Sequence, residues 1–256
     1  MKGDAMRILL SNDDGIYAPG IRALAEHFFK KHEIIITAPD SERSGAGHSF
    51  TYKSPLRARR AILPGLEQLE AYAVSGTPAD CVKLAYGNLA GKVDLVISGI
   101  NLGSNLGTDC FYSGTVAAAM EGAFQGMQAI AVSNVSADPK DYGACLAATE
   151  YAMELLIQNK NLRMLNVNAP DCSRGELKGF KLTAMSCQQY VPEYEKRQDP
   201  FGGAYYWVSP NRISGYFADR DDDNRWTAQG YAALTPLLAD MTDYTMLKKL
   251  TGSKGE

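Results

Sequence analysis

The 256-residue sequence lacks any apolar run of the roughly 18 residues that a membrane-spanning helix needs. Its N-terminal apolar segment is short and cut off by charges, so no signal-peptide core is expected. Cysteine is scarce and unpaired in pattern. The five residues, at 81, 110, 145, 172 and 187, are odd in number, and no two form a C-x-x-C pair. That argues against a disulfide framework and a structural zinc site, and for a reducing compartment, here the cytoplasm. Excess charge is also small. A net charge of −3 gives no basis for binding a nucleic-acid duplex or an anionic membrane. An anionic small substrate would therefore need local help from a cation or from backbone N–H groups. Two phosphate-binding signatures are missing as well. No G-x-x-x-x-G-K-[ST] loop is present, and no G-x-G-x-x-G follows the first apolar run. There is no internal repeat and no low-complexity tract.

The composition, 45% hydrophobic and 21% charged, suits one large α/β domain. Arg7 to Leu10 form a short apolar run that ends in Ser11-Asn12-Asp13-Asp14-Gly15. This reads as a buried first strand closed by two adjacent carboxylates. Two readings fit the pair: a site for a hard cation, which relieves their repulsion and lost hydration, or an Asx turn or helix cap. A helix is predicted over about residues 19–31, with Pro19 in its first turn, and a strand over 33–38. Strand, helix and strand make a βαβ unit and imply a parallel sheet.

The polar, glycine-rich loop after that second strand carries Ser44 and His48 on the sheet's carboxyl edge, the side where ligands bind in such folds. Taken alone, each is more simply a loop hydrogen-bonding residue. Residues 50–75 read as short strands, with Arg57, Arg59 and Arg60 on a solvated face. Thr77-Pro78-Ala79-Asp80 opens a helix, with Asp80 as a capping residue. A strand over 93–98 runs into the glycine-spaced loop of residues 99–109. Asn101, Asn105 and Asp109 there supply oxygen ligands. Ser113-Gly114-Thr115 starts the next helix and reads either as a plain cap or as an anion site at the positive helix end. A strand over 129–133, a helix over about 140–158 and a strand over 164–168 complete the core. From about residue 171 the pattern changes, and the aromatic-rich residues 188–217 read as extended hairpins projecting from the core. Arg220 to Asp223 read as a solvated loop, 231–235 as a strand and 243–251 as a terminal helix. The expected organisation is a single domain, with a core over 1–170 and a C-terminal extension over 171–256.

Asp13, Asp14, Ser44 and Asn101 follow three different strands and, by the parallel-sheet argument, share one edge. This all-oxygen set suits Mg²⁺ or Mn²⁺ and not zinc. With an anion site at Ser113 nearby, it points to phosphomonoester hydrolysis.

The segments Ile8–Gly15, Ala38–Ser44, Gly76–Val82, Ser98–Gly103 and Tyr112–Val116 together resemble the SurE (survival protein E) family of nucleotidases. Gly230-Tyr231 and Leu234–Leu237 match as well. The resemblance implies a Rossmann-like, mostly parallel sheet flanked by helices, with C-terminal β-hairpin extensions. It implies a metal-dependent 5′-nucleotidase acting on nucleoside 5′- and 3′-monophosphates, with one Mg²⁺ or Mn²⁺ per subunit. Asp13, Asp14, Ser44 and Asn101 would bind the metal, with Asp13 and Asn101 catalytic. Asn12, Ser113, Gly114 and Thr115 would lie beside the phosphate. It further implies a homodimer or homotetramer with exchanged C-terminal segments. The alternatives are an exopolyphosphatase, a broad small-phosphoester phosphatase, or a non-catalytic nucleotide sensor.

Overall fold

A computed structural model of the chain describes residues 5–187, 189–190, 193–208, 212–213 and 220–252. In chain order the elements are β1 (Arg7–Ser11), α1 (Pro19–Phe28), β2 (Glu33–Pro39), β3 (Ala58–Arg60), β4 (Glu70–Val74), α2 (Pro78–Leu84), β5 (Leu95–Leu102), α3 (Gly114–Phe124), β6 (Gln128–Asn134), α4 (Gly143–Gln158) and β7 (Met164–Ala169). The C-terminal part adds β8 (Phe180–Leu182), β9 (Gln189–Tyr190), β10 (Tyr194–Gln198), β11 (Ala204–Val208), β12 (Arg212–Ile213), α5 (Asp223–Ala228), β13 (Ala232–Leu237) and α6 (Tyr244–Thr251).

One sheet of nine strands runs β3-β4-β2-β1-β5-β6-β7-β13-β8. The pairs β4/β2, β2/β1, β1/β5, β5/β6 and β6/β7 are parallel. The chain winds outward from β1 to β2 and β4, then crosses back to start β5 on the other side of β1. The sheet order thus reverses between β1 and β5. Crevices at such a reversal, beyond the carboxyl ends of the strands, are where doubly wound α/β proteins bind ligands.

Alternation along the buried strands sorts the core onto two faces. Ile8 and Leu10 of β1, with Ile36 and Ile97, pack against Ile21, Leu24 and Phe28 of α1 and against Ala148 and Ala152 of α4. Leu9, Ile35 and Val96 point the other way, toward Val82 of α2 and Val116 and Ala119 of α3. Each such fully buried Leu or Ile contributes about 1.5–3 kcal/mol relative to exposure. The approach of α1 to the sheet is close. A Cβ at Gly20 would lie 1.9 Å from the backbone oxygen of Ile100, so no larger residue fits there.

Several boundaries differ from the sequence-based expectation for local reasons. The first helix closes at Phe28, where the N–H groups of Lys31 and His32 turn back onto the Phe28 carbonyl. α4 starts at Gly143 because Asp171 accepts from the N–H groups of Lys140 and Asp141, which fixes the preceding turn. β5 continues to Leu102, so Asn101 is a strand residue paired with Ser133 and not part of the following loop. The C-terminal part is not wholly an extension. β13 pairs antiparallel with β7, and β8 joins β13 in parallel, so both belong to the main sheet. Only β9 to β12 stand outside it, as the β10/β11 hairpin and the short β9/β12 pair. Of the 188–217 stretch expected as hairpins, residues 188, 191–192, 209–211 and 214–217 lie outside the described residues. The region from Arg220 to Asp223 is a solvated loop only in its first half, where Arg220 and Asp221 are exposed. Asp222 and Asp223 are buried, and the Asp222 side chain caps α5 by accepting from the N–H of Arg225.

Candidate active site

β1 ends at the reversal point, so the residues after it leave the sheet at its carboxyl edge. Asn12 makes the turn. Its side-chain amide donates to the Gly15 carbonyl at 2.9 Å, and its side-chain oxygen accepts from the Gly15 N–H at 3.2 Å. The side chain is fully buried, is not among the residues that line the cleft, and braces the acidic turn.

Asp13 and Asp14 follow. The side chain of Asp13 is met by the start of α3. Thr115 donates its hydroxyl to Asp13 Oδ1 and lies 3.4 Å from Asn101 Oδ1. Burial raises the Asp13 carboxyl above its ordinary range, while the Thr115 hydroxyl and the backbone N–H groups of Thr115 and Gly114 hold part of that rise down. Burial first, then the charge of Asp13, push Asp14 up to about 7, against a hydrogen bond from the Leu102 backbone; Glu42 adds to the rise. Asp14 Oδ2 is buried with no hydrogen-bond partner. Of this desolvated pair, Asp13 is met by donors of α3, while one oxygen of Asp14 is left without a partner by the protein itself.

The remaining predicted residues arrive from two other elements. Ser44 is carried by the loop after β2, which Arg43 ties down by donating its N–H to the Asp13 carbonyl at 2.8 Å. The Ser44 hydroxyl donates to Glu42 Oε1 at 2.7 Å. Asn101 donates its amide to the Gly103 carbonyl at 2.8 Å, leaving Oδ1 toward Thr115. Gly99, just before it in β5, takes φ +133°, and past it Gly103 and Gly107 take φ of +105° and +51°, values that L side chains rarely adopt, so the loop turns where the glycine spacing predicts. Ser113 caps α3, its hydroxyl accepting from the Val116 N–H at 3.0 Å. Ser113 is thus the plain cap of α3, and the backbone N–H groups of Gly114 and Thr115 are directed to the carboxylate of Asp13.

Asp13, Ser44, Asn101 and Ser113 line one cleft of about 370 Å³, with Gly45, Leu102, Ser104, Asn105, Asp109 and Tyr112. Tyr112 and Glu42 were not singled out from the sequence. The only signal for Tyr112 is an aromatic residue directly before a helix cap. Asp80 stays at the start of α2, in a capping box with Thr77, and also takes the N–H and hydroxyl of Thr51. His48 faces Glu121 of α3 and stands outside the set of cleft-lining residues.

The donors present fit a hard divalent cation. They are oxygens only, two of them belong to desolvated carboxylates, and one carboxylate oxygen is unpartnered. Among the described residues, no three His, Cys, Asp or Glu side chains gather to hold a metal. A cation here relies on the Asp pair completed by neutral oxygens.

Fold and cleft define a doubly wound α/β protein with a carboxylate pair at its topological switch point. The family model described as Survival protein SurE matches residues 8–192, and the chain belongs to that family. It is 44% identical over 255 residues to a 5′-nucleotidase SurE of Natranaerobius thermophilus, covering 96% of this chain and 98% of the relative. It is 44% identical over 248 residues to a 5′-nucleotidase SurE of Thermosipho melanesiensis, covering 96% of each chain. Among solved structures, the crystal structure of the SurE protein from Aquifex aeolicus superposes with a TM-score of 0.81 at 36% identity, covering 96% of this chain and 98% of that one.

Proposed function

We infer that this chain is a divalent-metal-dependent phosphomonoesterase that hydrolyses nucleoside 5′-monophosphates, and also 3′-monophosphates, to nucleoside and phosphate. The observation that carries this reading is the pair Asp13 and Asp14. They are two adjacent carboxylates at the switch point, both raised by burial, one with an unpartnered oxygen. A desolvated carboxylate pair at a ligand-binding crevice is stabilised by a cation, and a cation beside a helix N-terminus suits a phosphate ester. The curated relatives, named 5′-nucleotidases over nearly their full length, support the same reaction.

In this reading Asp13 and Asp14 hold one Mg²⁺ or Mn²⁺, with Ser44 and Asn101 supplying neutral oxygens. The chemistry such a cation supplies when bound is charge stabilisation of a phosphoryl oxygen and activation of a water. Thr115 keeps Asp13 oriented through its hydroxyl. Ser113, Gly114 and Thr115 place the positive end of α3 at the phosphate, where N–H groups offset the charge that builds on its oxygens. Asn12 holds the acidic turn closed from below. Water adds to phosphorus, the bond to the nucleoside oxygen breaks, and that oxygen leaves as the nucleoside hydroxyl.

The working form in this reading is a homodimer or homotetramer that exchanges C-terminal segments. In support, α6 has no buried residue in the single chain while exposing Leu247 and Leu250. The cytoplasm is the proposed compartment, in keeping with five free cysteines. No helix among the described residues is long and apolar enough to cross a membrane.

Phosphate release from AMP, GMP and 3′-AMP tests the function, first with EDTA and then with Mg²⁺ or Mn²⁺ restored. Release that stops with EDTA and returns with metal is expected. Release indifferent to EDTA overturns the metal assignment, and no release under any metal overturns the reaction.

A further inference from the structure

Beyond the phosphate end of the cleft stands a ring with nothing to do in the fold. Tyr112 lines the cleft yet is 65% exposed. Among the described residues its ring touches no other ring and its hydroxyl has no hydrogen-bond partner. The contrast with its neighbourhood is clear: the ring of His48, close by in the loop after β2, is stacked on Phe124 at 5.1 Å.

The backbone that carries the ring is held on both sides. The Tyr112 N–H donates to the Asp109 carbonyl at 3.0 Å, and its carbonyl accepts from the Gly47 N–H at 3.0 Å. Gly47 takes φ +54° to make that approach. The second bond joins the loop bearing Ser44 to the turn that leads into α3, so the position of Tyr112 is fixed by both walls of the cleft. An aromatic side chain fixed at its base and left exposed at a cleft mouth is a surface ready to be covered by a flat apolar group.

The chemistry of that group follows from the spacing and from the other walls. Tyr112 directly precedes Ser113, about 3.8 Å of backbone from the helix start that faces the phosphate. A nucleotide carries its base one sugar away from its phosphate, which suits this short step. Apart from Asp13, the cleft lining carries one charged side chain, Asp109, while Gly45, Leu102, Ser104 and Asn105 carry none.

We propose that Tyr112 forms the nucleobase subsite of this cleft, with its ring stacking on the base. Every base has a π face, so a single stacking ring binds purines and pyrimidines with little discrimination. This inference rests on the phosphomonoesterase reading above and adds to it where the nucleoside half of the substrate lies.

The test compares AMP with ribose 5-phosphate, which has the same phosphate and sugar but no base. Wild-type protein should favour AMP in kcat/KM. In Tyr112→Ala, the ratio of the two kcat/KM values should fall roughly 5- to 150-fold, the range that alanine replacement of a stacking ring produces. The change should fall mainly on KM for AMP. Tyr112→Leu, which keeps apolar bulk without a ring, should lose the ratio too, and Tyr112→Phe should keep it. An unchanged ratio in the Ala and Leu variants overturns the proposal, as does an equal loss on both substrates. A wild type that cleaves both substrates equally overturns it while the phosphomonoesterase reading stands. A wild type that releases phosphate from neither defeats that reading, and the subsite falls with it.

Discussion

Asp223 and Gly107 are joined across 116 residues of sequence: the Gly107 N–H donates to Asp223 Oδ2 at 3.0 Å. The other carboxylate oxygen takes the Ser186 N–H at 2.9 Å. Asp223 is fully buried. Gly107 begins the turn Gly107–Phe111 that delivers Asp109 and Tyr112 to the cleft, so a carboxylate in α5 anchors one wall of the site.

Replacing Asp223 with Ala strands two buried backbone donors. Each unsatisfied donor costs about 1–3 kcal/mol, so Asp223→Ala should lower stability by about 2–6 kcal/mol. For a chain of this size that corresponds to a drop of roughly 4–24 °C in Tm. Asp223→Asn keeps one acceptor and should lose less. A thermal melt of Asp223→Ala that overlays the wild type would show that these bonds do not hold the C-terminal segment in place.

The contrast between Asp223 and Asp13 explains what was legible in the sequence. Asp13 closes a buried apolar run, and the βαβ order places that run's end at the ligand edge, so its setting follows from local pattern and topology. Ser44 and Asn101 are legible for the same reason, being attached to the ends of neighbouring strands. Asp223 sits in a run of acidic residues whose local pattern is that of a solvated loop. Its partners are backbone N–H groups far along the chain, and a backbone donor leaves no mark on composition. The return of β13 to the main sheet beside β7 was hidden in the same way: its six residues read as a strand, but nothing local says which edge it joins. Asn12 shows a third limit. A polar residue next to a catalytic-looking pair reads as a ligand contact, and its reciprocal bonds with Gly15, which brace the turn, leave no mark in the sequence.

Gly114 sets how closely α3 approaches Asp13. A Cβ there would lie 2.7 Å from Asp13 Cβ, 2.9 Å from Asp13 Oδ2 and 2.9 Å from Pro78 Cγ. The side chain of Asp13 or the helix start must move to admit it. Overpacking of this kind costs about 1–3 kcal/mol, which a domain of this size survives. A displacement on the order of 1 Å at a reacting centre can cost about 100-fold in rate. Gly114→Ala should therefore keep its circular dichroism spectrum and lose about two orders of magnitude in kcat/KM. Near wild-type activity would mean that the α3 start does not fix Asp13.

The side chain of Thr115 acts on Asp13 through its hydroxyl, so Thr115→Val removes that donor with little change of shape and leaves the backbone N–H of Thr115 in place. Groups that orient a metal-binding side chain typically matter about 10- to 100-fold in metal affinity. Calorimetric titration with Mn²⁺ should show a loss of that size in Thr115→Val and recovery in Thr115→Ser, which restores the hydroxyl. Equal affinity in the Val variant and the wild type would remove Thr115 from any orienting role.

His48 and Glu121 form the clamp that fastens the Ser44 loop to α3, and it gives the stability a defined pH limb. His48 Nε2 lies 3.2 Å from Glu121 Oε2, Lys83 Nζ lies 3.5 Å from Oε1, and Gln125 donates to Oε1 at 2.8 Å. Burial alone would raise the Glu121 carboxyl, but the hydrogen bonds from His48 and Gln125 and the charges of Lys83 and His48 outweigh it and leave it below its usual 4.5. A carboxylate lowered in the folded state contributes stability that is fully present above the unfolded value and is lost as pH falls through the folded one. Wild-type Tm should accordingly drop below about pH 4.5, and Glu121→Gln, which cannot ionise, should be less stable at neutral pH but show a shallower acid limb. Melting curves recorded from about pH 6 to about pH 3 decide it: parallel curves for the two proteins would show that the ionised Glu121 is not what holds the loop.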